Sequence, residues 1–335
     1  MSEIITLNHG SGGKQAHELI LNLFAKKFGM QVPLTDSAVL KGEGFTLVFT
    51  TDSYVVDPLF FPGGNIGKLA LCGTVNDLSV SGAVPAYISA SFIIEEGFPV
   101  KDLEIIAGSM AEEAYRAGVK IVTGDTKVVG RGKCDKLFIT TAGTGFIKPE
   151  FEHISSGKMI APGDILVVSG PLGDHAIAVL GARNNLSFSS TVVSDCASLN
   201  HMIQSVLAKC SNVHFMRDLT RGGLSAVLYE LMQLSGMGIT VDEASVPVDD
   251  PVRGLCEVLG FDPFNLANEG KLLLVAGKEE QGKILDVLHN HPLGRKSALI
   301  GEITEINKGK VLLNTFTGGK RILDIPSGVQ LPRIC

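Results

Sequence analysis

The sequence predicts a two-domain chain of the α+β class, with α/β-like interleaving of strands and helices in its first half. Three observations carry that reading. Short β-rich runs alternate with apolar residues at helical spacing as far as residue 145. A cluster of turn signals then interrupts the pattern: Lys148-Pro149-Glu150, Ser155-Ser156-Gly157 and Ala161-Pro162-Gly163-Asp164. With 335 residues, the chain has enough length on either side of that break for two cores of ordinary size. The expected segments are a Gly-rich loop and helix at 1–40, a first domain at 41–150, a second α+β domain at 160–310, and a tail at 311–335.

In order along the chain, Gln15–Phe28 places Leu19, Ile20, Leu23 and Phe24 at helical spacing before Gly29, which predicts a helix. β-rich runs predict strands at Thr46–Thr51 and Ser53–Val56. Ile66–Val80 reads as a helix closed by Ser81-Gly82, and Tyr87–Glu95 as a strand. Lys101–Ala117 reads as a helix ended by Gly118, followed by strands at Lys120–Thr123 and Leu137–Gly145. Beyond the break, Ile165–Ser169 opens the second domain as a buried strand. Helices are predicted at Leu199–Ala208 and Leu224–Leu234, with later strands at Lys271–Ala276 and Ala298–Ile303.

Composition narrows the function classes. Apolar residues make up 45% and charged residues 19%, without a long like-charge run, which is a globular balance. The net charge is −6 and no Lys/Arg stripe is interleaved with aromatics, so nucleic acid is not an expected partner. Met1–Thr6 lacks the basic and apolar regions of a secretion signal, and no apolar stretch approaches bilayer-spanning length. The expectation is a cytoplasmic protein without a membrane partner.

None of the six cysteines falls in a C-x-x-C pair, which argues against a structural zinc site or a redox dithiol. Five read as small core residues. The sixth, Cys335, is the last residue, and Pro326 and Pro332 keep the segment before it from forming an ordinary helix. Extended from Ile325, such an arm spans roughly 33 Å at about 3.3 Å per residue. A thiol placed this way reads either as the carrier of a covalent group or as a frayed end.

Several motifs bear on chemistry. His9-Gly10-Ser11-Gly12-Gly13-Lys14 precedes a helix, where converging N–H groups and Lys14 suit an anion; a flexible turn is the alternative. Phe61–Lys68 is a near miss for a P-loop, with Pro62 at the first glycine position and Leu69 in place of Ser/Thr. Asp36, Asp52, Asp77 and Asp125 all stand in strand-end or turn settings of the first domain. Singly each is a cap or turn former; together they suit Mg²⁺ bridging nucleotide phosphates, with Lys127 close behind Asp125. Asp218 reads as an N-terminal cap and Glu269 as a turn residue. His289 and His291 form an H-x-H pair without a third ligand and read as surface loop.

These motifs together resemble one family. His-Gly-Ser-Gly-Gly at 9–13, Thr51–Pro85, Gly124–Val129, Asp218–Gly223, Asn268–Lys271 and the closing Pro-Arg-Ile-Cys are similar to HypE, the family of nickel–iron hydrogenase maturation factors. It belongs to the superfamily of aminoimidazole ribonucleotide synthetase, selenophosphate synthetase and thiamine-monophosphate kinase. The resemblance implies an aminoimidazole ribonucleotide synthetase-like fold: an N-terminal sheet domain that dimerises, a C-terminal α+β domain and a flexible tail.

It also implies a reaction. The Cys335 thiol receives a carbamoyl group from HypF, ATP-dependent dehydration turns it into a thiocyanate, and the cyano group passes to iron on HypC–HypD. ATP contacts are expected from His9, Gly10, Ser11, Gly12, Gly13, Lys14, Asn76, Gly124, Asp125 and Thr126. Mg²⁺ is expected on Asp36, Asp52, Asp77 and Asp125, and Glu269, then Lys127, are the candidate bases. A selenophosphate synthetase-like enzyme is less well matched, since Asn8–Lys14 holds no cysteine. A sister small-molecule kinase and a non-catalytic, nucleotide-binding thiol carrier complete the alternatives.

Overall fold

The computed structural model describes residues 4–30, 32–183, 191–325, 331 and 333–335. The opening helix begins as α1 (Lys14–Leu19), passes through a π-helical stretch at Ile20–Ala25 and ends as α2 (Lys26–Phe28), with Gly29 in the left-handed conformation.

The first domain is a five-stranded sheet in the order β1 (Ala38–Gly42), β2 (Phe45–Tyr54), β7 (Leu137–Phe146), β5 (Val84–Glu95), β6 (Lys120–Val129). Only β5 and β6 run parallel. A small hairpin, β3 (Phe60–Phe61) and β4 (Gly64–Asn65), leads into α3 (Ile66–Val80), and α4 (Val100–Ala117) follows β5. Asn65 starts α3 by accepting the Gly67 and Lys68 N–H groups on its side-chain oxygen at 2.9 and 3.2 Å. α3 lies across β2 and β7 and also meets α4 and the second domain, which explains why it is apolar on nearly every side. The other sheet face is uncovered, leaving Leu40, Phe49, Tyr87 and Ile93 exposed.

The second domain is a seven-stranded sheet in the order β14 (Lys320–Leu323), β13 (Val311–Asn314), β10 (Gly238–Asp242), β12 (Ala298–Thr304), β8 (Ile165–Val168), β11 (Leu272–Ala276), β9 (Val213–Asp218). Its helices are α5 (Asp174–Ala182), α6 (Asn200–Lys209), α7 (Gly223–Ser235), α8 (Asp250–Leu259) and α9 (Gln281–His289). Strand alternation splits the core into two layers. Leu166 and Val168 of β8 pack with Leu224 and Leu228 of α7, while Ile165 and Val167 pack with Ile203 of α6 and Ile284 of α9. With both faces covered, the central strands read as unbroken apolar runs.

Two expectations are corrected here. The segment from 311 is not all tail, because β13 pairs in parallel with β10 and β14 extends the sheet through residue 323. β6 continues to Val129 instead of ending at Thr123, held in register by β5 along its length. Pro326 and Pro332 lie outside the described residues. A third core joins the domains: Tyr54, Ile66 and Cys72 of the first pack with Ala176, Ile177 and Leu266 of the second, and Ile334 is buried among them.

Candidate active site

The site forms where β2, α3 and β9 meet. Alternation along β2 turns Val48, Thr50 and Tyr54 to the covered face and Phe49, Thr51 and Ser53 outward. Asp52 shares the inner face, and the Tyr54 hydroxyl donates to its Oδ2 at 3.2 Å. Gly73 on α3 makes room for that hydroxyl, since a Cβ there would lie 2.2 Å from it. One turn further along α3, Asp77 accepts from Thr50 Oγ1 at 2.7 Å. Asp36 precedes β1 and Asp218 ends β9.

Carboxylate oxygens of Asp36, Asp77 and Asp218 lie within 4.8 Å of one another. Burial, then mutual repulsion with the neighbouring aspartates, pushes Asp77 and Asp218 well above the usual carboxylate range. Burial also raises Asp36, to about 6, although Arg217 Nε pairs with it at 2.7 Å. Asp218 Oδ2 and Glu269 Oε1 are buried without a hydrogen-bond partner. Crowded hard oxygen donors with an unsatisfied member fit a divalent cation such as Mg²⁺, which would supply the missing partner.

Glu269 is set by a pinned loop. Its N–H and that of Gly270 donate to the two oxygens of Asp195 at 3.1 and 3.2 Å, and Lys271 Nζ reaches Asp195 at 3.0 Å. Only glycine fits at 270, where a Cβ would fall 1.9 Å from the Asp195 carbonyl oxygen. Asn76 supports the same loop from α3: its Nδ2 donates to the Ala197 and Glu269 carbonyls at 3.1 and 3.3 Å, and its Oδ1 accepts from Leu199. Burial first, then Asp218 and Asp195, drive the Glu269 carboxyl well above its ordinary range.

The last residues dock into this site. Val55 N–H donates to the Cys335 carbonyl and Asp57 N–H to that of Arg333, each at 3.2 Å. Arg183 Nη2 donates to the Arg333 carbonyl at 2.9 Å and His175 Nε2 to that of Ile334 at 2.8 Å. The Arg333 side chain returns a bond to the Val55 carbonyl at 2.8 Å and pairs with Asp135. Cys335 thereby lines the carboxylate cavity, of about 270 Å³, together with Asp36, Asp52, Asp77, Asp218 and Glu269. It also lines an adjoining cavity of about 240 Å³ beneath Leu7, Gly10 and Ser11. Burial pushes its thiol up to about 12, against the pull of Arg221.

Of the residues singled out from sequence, the structure brings Asp36, Asp52, Asp77, Glu269 and Cys335 together, with Gly10, Ser11 and Gly12 along the walls. His9 folds back so that its ring nitrogen accepts from Thr6 N–H at 3.0 Å. Gly13 caps α1, and Lys14, exposed, lines neither cavity. Asn76 lies beneath the site, its amide committed to main chain. Gly124, Asp125, Thr126 and Lys127 stand elsewhere, on edge strand β6. Asp125 pairs in register with Ser91 and Lys127 with Ile93, on the uncovered sheet face, and the two form an ion pair at 2.8 Å. Within one chain Asp125 therefore does not join the other aspartates, because it sits inside a strand instead of a turn. Asp218, read as a cap, is a member of the cluster. Arg217 and Arg221 were not singled out, although the Arg-x-x-x-Arg frame around Asp218 is a visible signal.

Comparison with known proteins agrees across the whole length. The family model described as AIR synthase related protein, N-terminal domain, matches residues 34–147, and its C-terminal domain counterpart matches 161–314. The carbamoyl dehydratase HypE of Escherichia coli (strain K12) is 50% identical over 339 residues, covering 99% of both chains. A solved chain of a HypE–HypF complex superposes with a TM-score of 0.87 at 45% identity, covering 92% of this chain and 99% of that one. A HypE solved in complex with ATP gives a TM-score of 0.83 at 44% identity, covering 99% and 100%. Among the described residues no helix is long and apolar enough to cross a membrane.

Proposed function

The chain belongs to the HypE family of AIR synthase related proteins, and from that premise we propose that it dehydrates a carbamoyl group carried on Cys335 to a thiocyanate, using ATP. The observation that carries the reading is the docked thiol, which shares one cavity with the carboxylate cluster and Glu269.

A thiocarbamate oxygen is too poor a leaving group to depart as water at neutral pH. In the proposed reaction that oxygen attacks the γ-phosphorus of ATP, and the bond from phosphorus to the ADP oxygen breaks. The carbon–oxygen bond then breaks with loss of phosphate, while the nitrogen gives up two protons and forms the carbon–nitrogen triple bond. The products are the Cys335 thiocyanate, ADP and phosphate; one of the two protons ends on phosphate and the other in solvent. Glu269 Oε1, buried, unpartnered and in the same cavity as Cys335, takes the first from nitrogen in its carboxylate form. Mg²⁺ held by Asp36, Asp77 and Asp218, with Asp52 on the same wall, would neutralise charge on the phosphates. The Gly10–Gly12 loop limits entry of water, which would otherwise consume ATP. A thiol held at about 12 is a weak nucleophile, so Cys335 is loaded while undocked and reacts while docked.

The same reading assigns partners. HypF supplies the carbamoyl group and HypC–HypD accept the cyano group for iron, in the cytoplasm. The uncovered face around Phe49, Tyr87 and Ile93 pairs two copies into a homodimer, and any share of Asp125 and Lys127 in nucleotide contact or proton transfer passes through that pairing.

The test is the intact mass of the peptide carrying Cys335, taken after carbamoylation and before and after Mg-ATP. Loss of one water that depends on ATP is the expected result. An unchanged adduct on folded, ATP-bound protein would replace the dehydratase with a non-catalytic thiol carrier.

A further inference from the structure

Arg221 and Cys335 are the two residues that line both cavities, so they stand together where one opens into the other. The backbone that carries Arg221 is tightly set. Leu219 N–H donates to the Lys271 carbonyl at 3.0 Å, Asn268 Nδ2 donates to the Leu219 carbonyl at 3.1 Å, and Gly223 N–H closes the turn on Thr220. The Asp218–Gly223 turn and the Glu269 loop are therefore tied to each other by hydrogen bonds. From above, Gly12 packs so closely that a Cβ there would lie 2.9 Å from the Arg221 Cβ.

The guanidinium itself is little committed. Among the described residues its one hydrogen bond is Nη1 to the Gly10 carbonyl at 3.3 Å, and it makes no salt bridge. It has five N–H donors. Arg217, the other cation of the carboxylate cavity, is by contrast fully engaged with Asp36 at 2.7 Å and Glu230 at 3.1 Å. Arg221 lies near the Cys335 thiol and the Asp52 and Glu269 carboxyls, and its exposed side chain opens onto both cavities. A solvent-accessible guanidinium with spare donors, carried on a well-held backbone beside a carrier thiol, suits an acceptor oxygen on the group that thiol carries.

We propose that Arg221 is a catalytic residue of the dehydration, binding the carbamoyl oxygen on Cys335 and the phosphoryl oxygens that replace it. The inference rests on the dehydratase reading above. A neutral thiocarbamate oxygen draws modestly on a guanidinium, whereas the phosphorylated oxygen carries negative charge and draws on it strongly. Arg221 therefore favours the transition state over the bound substrate. Its bond to Gly10 ties the same contact to the Gly-rich loop.

The experiment uses full-length protein carbamoylated beforehand by its partner enzyme, then mixed with Mg-ATP in a single turnover and followed by the mass of the Cys335 peptide. Arg221→Lys keeps charge and stem packing but loses the planar fork. It should slow dehydration by about 10²–10³-fold, the usual effect of removing one donor to developing charge, while ATP affinity stays within about threefold. Arg221→Ala should be slower still and should regain rate in proportion to added guanidinium, which a merely structural role would not allow. Wild-type rates in both variants would overturn the assignment. So would a loss of ATP affinity as large as the loss of rate, because Arg221 would then serve the nucleotide. A wild-type adduct that never loses water would instead remove the dehydratase reading, and this inference with it.

Discussion

Asp218→Asn tests the carboxylate cluster most directly. The Asp218 carboxylate has a buried oxygen without a partner and lies within 4.8 Å of two others. Two unit charges at that separation repel by about 3 kcal/mol at an effective dielectric constant of about 20. Proton uptake limits the cost below the folded pKa. A carboxyl raised in the fold favours the folded state fully below its unfolded value near 4, and loses that benefit as pH rises through its folded value. For Asp36 that window ends at about 6; Asp77 and Asp218 are likewise raised well above the usual carboxylate range by burial and by their neighbouring carboxylates.

Removing the Asp218 charge should therefore leave stability almost unchanged at pH 5 and raise it by about 1–3 kcal/mol at pH 8 without divalent cation. Mg²⁺ should reverse the comparison: it should stabilise the wild type more at pH 8 than at pH 5, and the variant much less. Urea melts at the two pH values, with and without Mg²⁺, read both effects. Equal stabilisation of wild type and variant by Mg²⁺ would refute the three-carboxylate cation site.

Three further outcomes are expected. Glu269→Gln should slow dehydration at least about tenfold, the lower part of the range for losing a general base, with ATP affinity kept; single-turnover mass measurements decide it. Arg333→Ala removes the tail's bond to Val55 and its pair with Asp135, and should speed alkylation of Cys335 by iodoacetamide about tenfold or more, read by peptide mass. Tyr87→Glu puts a charge on the uncovered sheet face and tests the proposed pairing of two copies: wild type should sediment as a dimer and the variant as a monomer.

The two-domain division and most first-domain elements were legible because their apolar periodicity is strong: α3, α4, β5 and β7 lie where spacing and glycine stops put them. Asp36, Asp52 and Asp77 were also legible as a group: each alone is an ordinary cap or turn residue, but several hard oxygen donors at strand ends and turns of one domain suit a cation, and the three line one cavity. Asp125 misled for a physical reason. Gly-Asp-Thr-Lys has the composition of a turn, and only pairing with β5, a long-range contact, holds it extended. Asp218 was hidden by the reverse effect. His214 and Arg217 break the apolar run of β9, so its strand end was taken for a helix start; His214 is accommodated by Asp164 at 2.7 Å and Arg217 by Asp36. β13 and β14 are four residues each, too short for periodicity to separate them from a tail.

The place of Ile334 has a consequence for how often the chain exposes its cargo. Fully withdrawing such a side chain from an apolar interior costs about 1.5–3 kcal/mol, before the hydrogen bonds of its neighbours are counted. At about 2 kcal/mol the withdrawn form is roughly one molecule in thirty. Ile334 thus acts as a cork fixed to the reactive end: cargo on Cys335 is kept from stray nucleophiles for most of its lifetime, and escape uncovers an oily surface that water resists. A receiving protein that offers Ile334 a pocket of its own cancels this cost, so release would be gated by the identity of the acceptor and not by a clock within the chain.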